Sequence, residues 1–494
     1  MHTDSKPNEP HSRNEDDFAW ERFAKNCLLN KYALVVGSEA ILDQKIYPET
    51  KGNSTQLIFH KTLFKIATSN IEEEHADNSQ TILDNEILDE YNRLKKRYKN
   101  YSHLGRRYND IKEQVINATR QLMSDKNSLI NSIEPSLRQL LKTRCFRIVI
   151  TTAIDPFLEL AMEEVWGENG FDVIQVETAK STFKLVTYEE FNVNRPVLCY
   201  MFGKIDPKLS DEENSFVLSE NDAIKKIAKW FDAADSNAFL KYIRNYSLCS
   251  VGPQFNDWMF RFFWYLLRGE IGKNSGNKQV AVENEHEDSS LVSYLEMEKV
   301  KVFPDAREFM ASAVKQINEA VISLREPRKD QGVFISYSHR DRYIAMPLFE
   351  RLRSESIPVW IDDEELDDGD EFKDRITNAI ETCKIFLPIL STTIRKQISE
   401  NKIKDQWYYK NEWCLIEERY NEEKKKQEES RKLENGIPQK LSFKTIPFIV
   451  GDYNYTKEYH QSLPNCIKNA SIKDPQVLAK GRIDHLIEII KEHE

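Results

Sequence analysis

The sequence predicts an α/β protein of two domains, and three observations carry that reading. Short apolar runs alternate with longer helical stretches, the pattern of parallel sheets covered on both faces. The alternation occurs twice, on either side of the Pro-containing, charge-dense segment REPRKDQ at 325–331, which reads as a boundary. At 494 residues the chain also exceeds what one core holds. The resulting division is a polar tail over 1–17, an N-terminal domain over 18–325, a linker over 326–331 and a C-terminal domain over 332–494.

In the first domain, FAWERFAKNCLLN is amphipathic at helical spacing and KYALVVGS reads as a strand. A long charged helical region follows from about 70 to 143, with Gly105 its only glycine. Strand-like runs return at 145–152 (CFRIVITT), 171–177 (FDVIQVE), 197–203 (VLCYMFG) and 246–252 (YSLCSVG). The Gly-, Asn- and Glu-rich segment 268–290 reads as an exposed loop, and DAREFMASAVKQINEAVISL as a helix. The second domain is more regular. GVFISYS, IPVWIDD, KIFLPILS and KTIPFIVGD read as strands, separated by RYIAMPLFERLRSES, EFKDRITNAIETC and WYYKNEWCLIEERY as helices. A charge-laced helical extension over 417–436 and a final helix, GRIDHLIEIIKEHE, complete it. Such a domain is doubly wound, and its sites form at the C-terminal ends of the strands.

Composition excludes several classes. The net charge of −11 opposes a general phosphate-backbone or membrane-surface binder. The basic run at 93–112 lies on a helical pattern and reads either as a solvated face or as a local partner surface. The seven cysteines form no C-x-x-C pair, so neither a zinc site nor a disulfide framework is expected, and a reducing cytoplasm fits. The polar, acidic opening predicts no export signal. The most apolar stretch, 255–269, carries Asp257 and Arg261 and is too short to span a bilayer.

In the second domain VFISYSHRD (333–341), PVWIDDEELDDGDEF (358–372), FLPILS and WYYKNEW occur together. In combination they resemble a TIR domain, which implies a flavodoxin-like fold. Many TIR domains are adaptors, but a large group cleaves NAD+ at the nicotinamide–ribose bond, using a Glu on the helix after the third strand. The matching residue is Glu412, with Tyr408 four residues earlier and Trp407 beside it. Residues i and i+4 share a helix face, so an aromatic wall and a carboxylate are expected to project into one cleft. The resemblance implies further substrate-binding residues. Tyr337 ends the first strand, and the following basic position is His339 or Arg340. Gly369 is the pivot of a loop at 363–372 that gates the site and joins domains into assemblies. Phe372 would be the aromatic after that glycine, one residue later than the family spacing. Asp362 reads as a structural anchor of that loop. No cofactor and no metal are implied, NAD+ being the substrate.

The region 18–325 resembles, more loosely, a bacterial sirtuin-like domain of Rossmann-like architecture with helical insertions. YALVVGSEA stands at its Gly-rich turn, VITTAIDPFLELA at its T-T-N-x-D segment, YMFGKIDP at its H-G strand end, and SLCSVGPQFNDW at a later Gly-containing segment. The residues that chemistry requires are replaced: the Asn by Ala153, the His by Phe202, and all but one of the turn glycines, leaving Gly37 beside Ser38 and Glu39. Asp155 survives, but before Pro156 it also serves as a helix-start residue. This domain is expected to be catalytically inactive and to act as a sensor or scaffold.

The expectation for the whole chain is an NAD+ hydrolase of bacterial anti-phage defence. It would be activated by self-association through its TIR domains in response to a phage-derived or cellular trigger. The alternatives are a non-catalytic adaptor, and an enzyme making a cyclic ADP-ribose signal.

Overall fold

The computed structural model describes residues 18–50, 52–72, 80–97, 108–168, 170–175, 196–210, 214–218, 220–233, 240, 243–252, 258–268, 279–282, 295, 297–324, 332–361, 370–391, 394, 407–433, 441–450, 463–468 and 483–491. The predicted tail, the linker, Asp362 and Gly369 lie outside them.

Among the described residues, twelve strands form two parallel sheets. The larger contains β1 (Tyr32–Val36), β2 (Ile148–Thr151), β3 (Asp172–Gln175), β4 (Val197–Tyr200), β5 (Ser247–Val251), β6 (Gln279–Val282) and β7 (Val300–Phe303), in the order β3-β4-β2-β1-β5-β6-β7. The smaller contains β8 (Val333–Ser336), β9 (Val359–Ile361), β10 (Ile385–Leu390), β11 (Lys444–Thr445) and β12 (Phe448–Ile449). Its order is β11-β10-β8-β9, and β12 also pairs with β10. Burial follows position. Every residue of β1, β4, β5 and β10 is buried, as strands covered on both faces require. The edge strands β7 and β9 have partly exposed residues.

The described helices are α1 (Trp20–Leu28), α2 (Ser54–Glu72), α3 (Gln80–Arg97), α4 (Tyr108–Met123), α5 (Lys126–Asn131), α6 (Pro135–Lys142), α7 (Phe157–Trp166), α8 (Glu220–Ala233), α9 (Trp258–Arg268), α10 (Ala306–Leu324), α11 (Arg342–Ser354), α12 (Asp370–Thr382), α13 (Trp407–Leu433), α14 (Asn465–Lys468) and α15 (Ile483–Lys491). Helices α2 to α6 fill the interval between β1 and β2 and are the helical insertion the sequence predicts. Helix α2 packs on α3 and α4, while α10 packs on α1 and α6. An aromatic cluster seals the latter layer: Phe18 meets Phe303 edge-on at 5.1 Å, and Phe303 lies 4.8 Å from Phe309. Such pairs contribute about 0.5–1.5 kcal/mol each beyond their burial.

One expectation needs correction. The segment 268–290 is not all exposed loop, because Gln279–Val282 is the buried strand β6, paired with both β5 and β7. The charge-laced extension does continue the helix beginning at Trp407, since α13 runs unbroken for 27 residues to Leu433.

Candidate active site

The site is assembled at the C-terminal edge of the smaller sheet. There β8 lies between β9 and β10, with Ser336 opposite Pro388. In a doubly wound sheet the strand order reverses at such a position, and a crevice opens outside the strand ends. Side chains alternate along β8. Phe334 joins one core with Ile376, Ile380, Phe386, Trp413 and Ile416, whereas Val333, Ile335 and Tyr337 join the core on the other side. Ser336, two residues beyond Phe334, therefore points toward α13, and its hydroxyl donates to Glu412 Oε2.

Glu412 occupies a core position of that helix. Ile416, one turn further along the same face, is fully buried, and neighbouring Trp413 is also buried, whereas Cys414 and Glu418 are exposed. Glu412 itself is only 3% exposed. A carboxylate placed there loses hydration and needs hydrogen-bond donors in compensation; Ser336 is one.

A second hydroxyl–carboxylate pair stands beside the first. Ser391, the residue after β10, donates to Asp341 Oδ2 at 2.5 Å, and the Ile394 N–H donates to Ser391 Oγ at 3.2 Å. Asp341 is fully buried, and its N–H bonds the Ser338 carbonyl at 2.6 Å. It thus ties the 3-10 turn His339–Asp341 to the end of β10. Sequence reasoning missed Ser336, Asp341 and Ser391 as site residues. The only signal was the serine ending the first- and third-strand motifs, since the pairing joins residues far apart in the chain.

Of the predicted substrate-binding residues, Tyr337 is buried directly after Ser336, and its ring meets that of His339 edge-on at 5.9 Å. Arg340 turns elsewhere: a Cβ built on Gly167 would stand 3.0 Å from Arg340 Nη1. Of the two basic candidates, His339 therefore packs on the Tyr337 ring and Arg340 packs against the end of α7. Trp407 and Tyr408 form the first turn of α13, and Phe372 lies in the first turn of α12. Among the described residues no group of three His, Cys, Asp or Glu side chains is placed to hold a metal, and no described helix is long and apolar enough to cross a membrane.

The corresponding edge of the larger sheet differs chemically. The turn after β1 spends its backbone donors internally: the Gly37 N–H bonds Val251 O at 2.9 Å and the Glu39 N–H bonds Gly252 O at 3.3 Å. Phe202 is buried after β4. Gly203 follows at φ +81°, where a Cβ would come within 2.3 Å of the Ser215 carbonyl, so only glycine fits. Lys204 Nζ then lies 2.6 Å from Glu159 Oε2 and 3.7 Å from Asp206 Oδ2, while the Tyr200 hydroxyl donates to Glu159 Oε2 at 3.4 Å. Burial, with Glu159 nearby, pushes the Tyr200 hydroxyl well above the usual phenol range. Asp155 accepts from Ser54 Oγ at 2.6 Å, from Thr55 Oγ1 at 3.4 Å and from the Phe157 N–H at 3.3 Å. Its work is to join the start of α2 to the start of α7.

Residues 333–457 match the family model for the TIR domain, and residues 147–303 match that for the SIR2-like domain. A comparison with curated proteins finds no match. The chain therefore carries a SIR2-like domain on the N-terminal side of a TIR domain, as both resemblances imply. The SIR2-like match begins at Arg147, so β1 and the α2–α6 insertion lie ahead of it although β1 is central to the same sheet.

Proposed function

We propose that this pairing of a SIR2-like domain with a TIR domain is an NAD+ hydrolase, with Glu412 as its catalytic carboxylate. The observation that carries the reading is the position of Glu412: a glutamate on the core face of α13, 3% exposed, held by Ser336 at the strand ends where this fold builds sites. A buried carboxylate in that crevice is poorly explained as a surface residue and well suited to electrostatic catalysis.

The chemistry follows from the charge it must stabilise. As the bond between ribose C1′ and the nicotinamide nitrogen breaks, its electron pair leaves with the ring. Nicotinamide departs neutral, and positive charge develops on the ribose. A carboxylate accepting hydrogen bonds from the ribose hydroxyls stabilises that oxocarbenium-like state, and a preorganised, desolvated one does so more strongly than water. Water then adds at C1′ and loses a proton to solvent, giving ADP-ribose. No cofactor or metal enters this scheme.

The SIR2-like domain is the regulator or scaffold in this reading. Phe202 has no group to act as base or to contact ribose, the turn after β1 offers fewer free N–H donors to a phosphate, and Glu39 beside it is anionic. Uncontrolled hydrolysis would starve the host of NAD+, so activity is gated by self-association through TIR domains after a phage-derived or cellular trigger. NAD+ depletion in the cytoplasm of the infected cell is then the defensive output. The test is NAD+ consumption by the full chain with products resolved by chromatography. Glu412→Ala should lower the rate by about 100-fold or more. A wild type inactive under assembled conditions would leave the adaptor reading in its place.

A further inference from the structure

The proposed reaction needs the Glu412 carboxylate to be correctly aimed. Phe334, Trp413 and Ile416 lie on the same side of the sheet, and a carboxylate buried beside them needs hydrogen-bond donors. Ser336 supplies one of them. The residue is fully buried, it ends β8, and its direction is fixed twice: by strand alternation, which sets it on the Phe334 side, and by pairing with β10 at Pro388. The donor therefore sits on the rigid sheet and the acceptor on the helix. A hydrogen bond between them sets the carboxylate's torsions relative to the strand ends.

We propose that Ser336 is a positioning residue for Glu412, fixing Oε2 so that the carboxylate meets the ribose in the reactive orientation. The Ser391–Asp341 pair does the parallel task for the neighbouring turn, so two adjacent parallel strands each end in a serine that anchors one buried carboxylate. The proposal rests on the reading of Glu412 as the catalytic group. It adds that the F-I-S-Y strand contributes to chemistry through its serine as well as through Tyr337.

The experiment compares the full-length wild type with Ser336→Ala, Ser336→Thr, Glu412→Ala and the Ser336→Ala/Glu412→Ala double variant. Steady-state kinetics on NAD+ and thermal unfolding are measured for each. Loss of a hydrogen bond to a charged group predicts a kcat about 10- to 100-fold lower in Ser336→Ala with KM changed less than about two-fold. Ser336→Thr, which keeps the hydroxyl, should recover most of that loss, and adding Ser336→Ala to Glu412→Ala should cost nothing more. A Ser336→Ala variant with wild-type kcat overturns the proposal. So does a kcat loss that Thr does not rescue while folding of that variant is intact. If the wild type itself does not cleave NAD+, the hydrolase reading fails, and thermal unfolding still decides the pairing. Non-additive midpoint shifts in the double variant support a Ser336–Glu412 bond, and additive shifts overturn it.

Discussion

Several carboxylates of this chain are buried, among them Glu412, Asp341 and Asp155. Glu412 and Asp341 each receive a serine hydroxyl at a strand end. Asp155 is fully buried, and burial pushes its carboxyl up to about 6, with hydrogen bonds from Ser54, the Phe157 N–H and Thr55 opposing the shift. An unfolded Asp titrates near about 3.9. Between those values the native state keeps a proton that the unfolded chain has released, so this residue's stabilising contribution is complete below about pH 4 and is lost as pH rises through about 6. The difference amounts to roughly 3 kcal/mol. Asp155→Asn, neutral throughout, should therefore gain stability relative to wild type as pH rises from 4 to 7, measured as the difference in unfolding midpoint between the two proteins. A difference independent of pH would show that the carboxyl titrates normally. Cysteine chemistry is also decided by burial. Burial pushes the Cys27, Cys199, Cys249 and Cys466 thiols upward, and Cys383 up to about 11 with Arg419 opposing. Six of the seven cysteines are buried and Cys414 alone is exposed. Thiol titration of the native protein should find one fast-reacting group, which Cys414→Ser removes; two or more fast groups would contradict the packing.

At the scale of elements, most strands were legible because fully buried parallel strands are continuous apolar runs, as in YALVV and IFLPIL. β6 was not, since QVAV is only four residues long and is embedded in Gly, Asn and Glu that carry a loop signal. Helix α13 continues after its apolar stripe stops near Tyr420, and its charged turns are the helical extension the sequence predicts. The α13 side chains on either side of that point have partners. The Arg419 guanidinium bonds the Ile380 and Cys383 carbonyls at the end of α12 and lies 4.4 Å over the Phe443 ring, and Glu423 accepts from the Ser442 N–H. For the proposed site, the sequence points to Glu412 through aromatic-to-carboxylate spacing together with the resemblance to the family motif. Ser336, Asp341 and Ser391 were not, because their role exists only once β8, β10 and α13 are brought together from positions 76 and 50 residues apart. Periodicity cannot report a hydrogen bond of that sequence separation.

At the scale of the whole molecule, the first turn and helix of the TIR domain are clasped by the SIR2-like side. Arg342 Nη1 donates to the Thr143 carbonyl at 3.2 Å, Arg147 lies 5.8 Å over the Tyr343 ring, and Lys25 Nζ is 3.4 Å from Glu350. Arg340 rests against Gly167, whose φ of +78° suits glycine. Arg340 and Arg342 flank Asp341, which is bonded to Ser391 at the sheet edge. A shift at this interface therefore reaches the rim of the crevice through two residues of backbone. Arg342, at 3% exposed, is the central contact, and truncating a buried charged donor costs about 1–3 kcal/mol. Arg342→Ala should accordingly raise hydrogen exchange in both Thr143–Arg147 and the turn at His339–Asp341. Unchanged exchange in either segment would mean that the clasp is not energetically coupled. The measurement that tests the central claim most directly is nicotinamide release by the full chain at high concentration, beside Glu412→Ala and Phe202→Ala. Release abolished in Glu412→Ala and preserved in Phe202→Ala is the predicted result, and release that survives Glu412→Ala would contradict it and return the chemistry to the SIR2-like cleft.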